Sequence, residues 1–276
     1  LVALVVAVVV IAALAGLVWA AAGACGADDQ SAAGAAPSTA SAGKDGGTKM
    51  KLAPSPSPTA WTGPPSSKLR LRLRDTIVDP DIAPKSVVSS GNGYVFAQNM
   101  MYKHTITVYD TTTLKLVETI PDAIDPAEYR IRGHGSEDIL GAPVECAFLP
   151  DGRFAYVSQY SMYGPGFVEG HDNGSPGQAS DSYIYRVSLA DLAVDKVIKV
   201  GEVPKYVAVT PDSKYVLVSN WQSFTLSVID VHTSKVVKDV HLGPYPRGIA
   251  VSPDSKTAYV AVMGTTTIAV VDPTAI

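Results

Sequence analysis

Cysteine is nearly absent from this chain of 276 residues: there are two, Cys25 and Cys146. A long low-complexity stretch separates them, which excludes a disulfide framework. Cys146 lies in the strand-like run Val144-Glu145-Cys146-Ala147-Phe148 and reads as a small buried hydrophobe rather than a nucleophile. A basic excess is also missing. The formal net charge is −4, so nothing points to a nucleic-acid partner. The sequence contains no Gly-x-Ser-x-Gly elbow, no His-Glu-x-x-His, no Walker loop and no Cys-x-x-Cys-His haem site. No catalytic residue is therefore assigned from a motif.

Long apolar runs occur in one place. Leu1 to Ala24 carries no charge, and the first charged residue is Asp28. The length suits a membrane span of about 20 residues. A secretory signal has a shorter apolar core with a basic stretch ahead of it. That stretch and an initiator Met are missing here, so the chain is expected to begin inside a longer gene product. Ala22-Gly23-Ala24-Cys25 resembles a bacterial lipobox, with Cys25 as the lipidated residue, although Ala22 stands where Leu is usual. A signal-anchor helix over 1–25 and a lipoprotein both remain open. Either places the rest of the chain outside the cytoplasmic membrane, tethered to it.

Residues 26–67 are Ala, Gly, Ser, Pro and Thr with scattered charge, a composition too polar to bury a core. Pro54-Ser55-Pro56-Ser57-Pro58 is a stiff spacer. The expected organisation is a membrane segment over 1–25, a disordered linker over 26–67 and a folded domain over 68–276. Lys68 to Arg74 alternates basic and apolar residues and is expected to be a strand. Its basic face reads as the exposed side of an edge strand, where charge blocks edge-to-edge pairing, rather than as a patch for an anionic polymer.

The folded domain repeats itself. Pro204, Pro211, Asp212, Ser213, Lys214 and Asp230 recur 42 positions later as Pro246, Pro253, Asp254, Ser255, Lys256 and Asp272. Short apolar runs separate these marks, so each unit is expected to be a four-stranded antiparallel meander, one propeller blade. Pro150-Asp151-Gly152-Arg153 opens a third copy and Gly91-Asn92-Gly93 a weaker fourth. Gly, Asn, Asp and Ser stand at the first hairpin of each unit because such turns need φ > 0 or a side chain that bonds its own backbone.

Phe154-Ala155-Tyr156-Val157-Ser158, Ala258-Tyr259-Val260-Ala261 and Leu226-Ser227-Val228-Ile229-Asp230 resemble the YVTN-family β-propeller repeat of YncE-like bacterial proteins and archaeal surface-layer proteins. The signature Asn is kept as Asn99 and Asn220 and replaced by Gln159 and Val262. The resemblance covers roughly 83–276 and implies an all-β propeller with about four blades present. Most members are expected to have more blades. Two arrangements are open: a fragment of a larger ring, or a four-bladed ring closed by a strand over 69–77.

Two insertions interrupt the period, one between Ile120 and Pro143, the other between Tyr160 and Tyr183. In an up-and-down meander the connections after second and fourth strands emerge on one side. Both insertions are thus expected side by side on one face, opposite the short turns, and long additions to a repeat mark the binding face. The candidate ligand-binding residues there are His134, Glu145, Tyr160, Tyr163, Phe167, Glu169, His171 and Asp172. Aromatics among glycines could stack on sugar rings. Glu169, His171 and Asp172 could ligate a divalent metal, with His134, Glu137 and Asp138 completing the set. The plain alternative is a solvated Gly-rich loop whose polar residues only shape turns. His104, His232 and His241 fall at strand ends or turns and read as surface residues. The expected function is a binding module for an envelope protein or glycan, with no obligatory cofactor. The alternative is a lactonase-like or lyase-like propeller enzyme acting on a small extracellular substrate.

Overall fold

The computed structural model describes residues 71–275; the expected anchor over 1–25, its Cys25 and the linker over 26–67 lie outside them. The described chain is all β. The first sheet holds β1 (Ser86–Ser89), β2 (Tyr94–Asn99), β3 (Thr105–Asp110) and β4 (Leu116–Pro121). The second holds β5 (Pro143–Phe148), β6 (Phe154–Gln159), β7 (Tyr183–Ser188) and β8 (Ala193–Lys199). The third holds β9 (Pro204–Val209), β10 (Tyr215–Asn220), β11 (Thr225–Asp230) and β12 (Lys235–His241). The fourth holds β13 (Pro246–Val251), β14 (Ala258–Val262) and β15 (Thr267–Val271). Within each sheet the strands pair antiparallel in chain order. The innermost strands follow one another, β1 against β5, β5 against β9 and β9 against β13. These are propeller blades.

Turn chemistry explains the repeat marks. The residue after the turn Asp holds positive φ in three blades: Gly152 at 71°, Ser213 at 60° and Ser255 at 63°. At the third hairpin, the Asp ending the third strand caps the turn. The Asp110 carboxylate accepts from Thr112 N and Thr113 N, and Asp230 accepts from Thr233 N. The chain then passes through the left-handed region at Leu114, Leu192 and Ser234 before the fourth strand begins. The signature Asn has an equally local task. Asn99 Nδ2 donates to Thr105 and Thr107, and Asn220 Nδ2 donates to Thr225 and Ser227. Each ties the end of the second strand to the third.

The core is a set of layers between blades, which is why the middle strands are apolar on both faces. Phe96, Ile106 and Val108 pack against Cys146, Ala155, Val157 and Val187 between the first two blades. Tyr156, Ile184 and Ile198 meet Val216, Val218 and Ile229 between the second and third. Leu217, Leu226 and Val228 meet Ile249, Ala258 and Val260 between the third and fourth. Alternate residues of β10 therefore serve two interfaces, and each full burial of such a side chain stabilises by about 1.5–3 kcal/mol. Cys146 is buried in the first layer, where desolvation pushes its thiol far above the ordinary range. The outer face of the fourth blade is uncovered: Ile268 and Val270 are each 67% exposed.

The strand expected over 68–74 and its continuation to 77 are not formed among the described residues. Residues 71–79 are irregular, and Leu71 is 94% exposed. An amphipathic strand needs a partner edge, and the fourth sheet ends at β15 with nothing from 71–77 added to it. The chain just after it is held on the first blade, through Tyr109 Oη to Asp79 (3.0 Å), Lys103 to Asp81 (3.1 Å) and Ala83 N to Asn99 (3.1 Å). Among the described residues, 71–77 do not close a four-bladed ring.

Candidate functional site

The two insertions, 121–142 and 160–182, are built structures that clamp each other. In the first, Ile124 and Ile139 exchange backbone hydrogen bonds of 3.0 Å and are buried with Met162, Tyr183 and Tyr185. Leu140 and Tyr163 form a second antiparallel bridge that joins the two insertions directly. The His134 ring stacks on Phe167 with centroids 4.1 Å apart, and its Nδ1 lies 2.9 Å from the Pro165 carbonyl oxygen. The expectation that both rise side by side on one face is met.

The second insertion continues across the seam to the third blade. His171 N donates to Gln222 Oε1 (2.9 Å), and Gln222 Nε2 donates to the Ser175 carbonyl (3.1 Å). Trp221 Nε1 donates to the Asp172 carbonyl (2.7 Å). The glycines of this loop serve close approach: a Cβ on Gly170 would strike Val203 and one on Gly174 would strike Gln222. The loop is a docked strap, not a solvated excursion.

Beneath the strap sits Lys205, at the second position of β9 and 7% exposed. Its ammonium pairs with Asp172 and lies 4.2 Å from the Trp221 ring centroid and 5.3 Å from that of Tyr160. Tyr160 Oη also donates to Asp172 (2.8 Å). Burial lowers the Lys205 pKa, and the raising effect of Asp172 does not fully offset it. Burial acts to raise Asp172, yet the bonds from Lys205 and Tyr160 outweigh it and hold that carboxylate below its ordinary value. Lys205 is the better buried partner, while Asp172 keeps 58% of its side chain in solvent. Lys85 and Arg247, at the starts of innermost strands, are near enough to oppose protonation of Lys205, and Glu145 on β5 feels the same two cations. Glu145 is half-buried, and desolvation raises its carboxyl against the opposing pull of Arg247, Ser86 and Lys85.

A second polar group lies under the first insertion. His104 Nδ1 is 2.9 Å from the Gly141 carbonyl oxygen and 3.2 Å from Asp122 Oδ2. Asp122 is 2% exposed, and burial pushes its carboxyl up to about 6 despite His104. His104 is raised by Asp122 in turn, against an opposing desolvation effect. This corrects the reading of His104 as a surface residue; His232 and His241 are exposed as expected.

On the opposite side, a cleft of about 340 Å³ opens among Arg153, Phe154, Arg186, Lys214 and Asp230. Its cations are already paired: Arg153 with Asp151, Arg186 with Asp195 and Lys214 with Asp212.

No family model matches the chain, and no curated protein matches it. Among solved structures the chain is similar to Kuenenia stuttgartiensis hydrazine synthase, with a TM-score of 0.51 at 21% identity. The similarity covers 73% of this chain and 49% of that one, so this chain spans about half the length of that structure. At this identity the likeness bears on the fold alone.

The candidate residues divide clearly. His134 and Phe167 hold the insertions together, and Tyr160 is buried against Lys205 and Asp172. Tyr163 donates to Glu169 (3.0 Å) and sits edge-on to His104. Each of these aromatics thus makes a contact within the protein, and Tyr163 and Phe167 remain partly exposed. Among the described residues no three His, Cys, Asp or Glu side chains are grouped to hold a metal ion. Asp172 is bound to Lys205 instead, while His171 is exposed on the strap. Glu145 is the third residue of β5, where Arg247 and Lys85 act on its charge. Sequence reading missed Lys205, Trp221, Arg247 and Lys85. A signal existed: Pro84-Lys85, Pro204-Lys205 and Pro246-Arg247 put a basic residue after the same repeated proline.

Proposed function

We propose that the protein is a binding module whose ligand approaches the insertion-bearing side. One observation carries this: the two insertions are clamped to each other, and the second is docked on the third blade over Lys205, at the start of an innermost strand. The opposite side carries short turns whose charges are matched locally. Rigid scaffolds that position irregular loops are the usual setting for recognition. The Leu1–Ala24 segment supports a location outside the cytoplasmic membrane, anchored by a helix or by a lipid on Cys25. An envelope protein or glycan fits that setting. The repeat motifs support kinship with YVTN-type propellers.

Site-specific photo-crosslinking in cells tests the proposal. Crosslinkers replacing Glu169 or His171 are expected to give envelope adducts, and those replacing Lys214 or Asp254 are not. Adducts on the second pair, or equal labelling of both faces, would overturn it.

A further inference from the structure

We propose that the starts of the innermost strands form a receptor for an oxyanion group, carboxylate or phosphate, on the ligand. Arg247 and Lys85 are its donors, and Lys205 lies behind them. This rests on the insertion-bearing side being the binding side and names the chemistry recognised there.

The geometry comes from the repeat. Lys85 precedes β1, Lys205 is the second residue of β9 and Arg247 the second residue of β13, each directly after a proline. Successive innermost strands pack side by side, β1 on β5, β5 on β9 and β9 on β13, and Glu145 on β5 feels the charges of both Lys85 and Arg247. Neighbouring blades are latched at this level: Ser86 Oγ donates to the Val144 carbonyl (2.6 Å) and Ser219 Oγ to the Arg247 carbonyl (2.7 Å). The three cations are close enough that Arg247 and Lys85 both make Lys205 harder to protonate.

They are unequally matched. Lys205 is paired with Asp172, whereas Arg247 and Lys85 form no ion pair among the described residues. Arg247 is partly buried, and its charge is felt at both Lys205 and Glu145. A planar fork of N–H donors matches a carboxylate or phosphate two bonds at a time, and an adjacent ammonium adds a point charge. Glu145 feels both cations and is the group an incoming anion must tolerate. Its place beside the donors favours a ligand that also offers a hydroxyl to it.

Calorimetric titration of the full chain with glucuronate, glucose 6-phosphate and glucose tests this. Glucuronate or glucose 6-phosphate is expected to bind, more weakly at high salt, with glucose binding far less; the preferred anion identifies the group. Arg247→Met should weaken the anion roughly tenfold or more, as loss of a charge-assisted bond implies. Arg247→Lys should recover part of it, and Glu145→Gln should tighten binding a few-fold. Neither arginine variant removes an ion pair, and unchanged circular dichroism confirms the fold. Equal affinity for glucose, no binding of either anion, or wild-type affinity in Arg247→Met and Lys85→Met would overturn the inference. Absent anion binding with crosslinking still confined to the insertion side sinks this inference alone. Crosslinks on the opposite side sink the binding-face reading whatever the titrations show.

Discussion

Asp172 and Lys205 form one ion pair whose two halves differ in burial, so the two single substitutions should differ in cost. Lys205→Met removes the charge that is 9% exposed and leaves the one that is 58% exposed. The freed Asp172 carboxylate hydrates and keeps its bond from Tyr160. The Met side chain fills the space between Tyr160 and Trp221, as a flexible thioether does well. The expected cost is within about 1 kcal/mol. Asp172→Asn does the reverse: it strands a buried ammonium. Breaking a fully buried pair costs about 3–5 kcal/mol, but solvent screens this one and the Trp221 ring still stabilises the cation. About 2 kcal/mol is therefore expected. The double variant should resemble Lys205→Met, leaving a coupling of about 1–2 kcal/mol.

The pH dependence gives an independent sign. An amine whose folded pKa lies below its unfolded value binds fewer protons when folded, so stability rises with pH between the two values. Burial already depresses Lys205, and Asp172→Asn depresses it further. That variant should regain stability from neutral pH toward about 10, while Lys205→Met should not. Urea midpoints across this range, at constant denaturant slope, measure both effects. If Lys205→Met costs as much as Asp172→Asn, or if the Asp172→Asn curve follows that of Lys205→Met in pH, the burial argument is refuted.

Leu217→Ala should cost about 2–5 kcal/mol, because Leu217 is fully buried between the third and fourth blades; thermal melting reads it, and a smaller loss would mean the blades do not pack there. Ser213→Gly should be neutral or slightly stabilising at φ 60°, whereas Gly152→Ser should lose about 1–3 kcal/mol by driving a Cβ into Asn92, a contrast that urea titration resolves. Asp122 and His104 are both raised, so the folded chain holds protons the unfolded chain has released. Asp122's contribution is full below its ordinary value near pH 4 and is lost as pH rises through about 6, a change on the order of 3 kcal/mol. Relative to Asp122→Asn, the parent chain should thus weaken from pH 4.5 to 7.5, and parallel curves would contradict the buried-pair geometry.

What the sequence disclosed was whatever repeats. The Asp-Ser and Asp-Gly turns, the Asp at the end of the third strand in three blades and the twofold apolar runs fix blades one after another, because each depends on residues a few positions away. The convergence of the insertions was also legible, since strand parity alone places them on one side. Side-chain destinations were not. Asp172 and Lys205 are 33 positions apart, and Trp221 meets Asp172 from a different blade, so no local pattern joins them. His104 sits in a hairpin turn, where exposure is the ordinary outcome, but the first insertion folds over it and supplies Asp122 and Gly141. The alternation at 68–74 had the reverse fault: the local signal was strong, but a strand needs a pairing partner as well as a pattern, and 71–77 pair with no sheet among the described residues, although β15 presents an edge.

The largest breaks in the repeat fall on the second blade. Where the other three blades have Lys85, Lys205 and Arg247 after the proline, the second has Val144 followed by Glu145. The same blade receives one insertion at its entry and carries the other between β6 and β7. The apolar Val144 packs with Ala142, Tyr160, Val203 and Trp221 under the strap, so the lost cation and the gained strap are one local change. Loss of that cation also lowers the repulsion among the remaining three, and Glu145 places a negative charge beside them. The result is a lopsided charged mouth, basic on three blades and acidic on one, with the strap fixed along the seam between the second and third. A symmetric ring of four cations would favour any anion on its axis. This arrangement favours an anion held off-axis, with a neutral donor turned toward Glu145. Replacing Val144 by Lys should therefore destabilise the chain by burying a fourth charge, whereas Glu145→Lys should fold and broaden anion binding toward simple phosphate. Retention of the parent's selectivity by Glu145→Lys would show that the asymmetry of the mouth has no part in recognition.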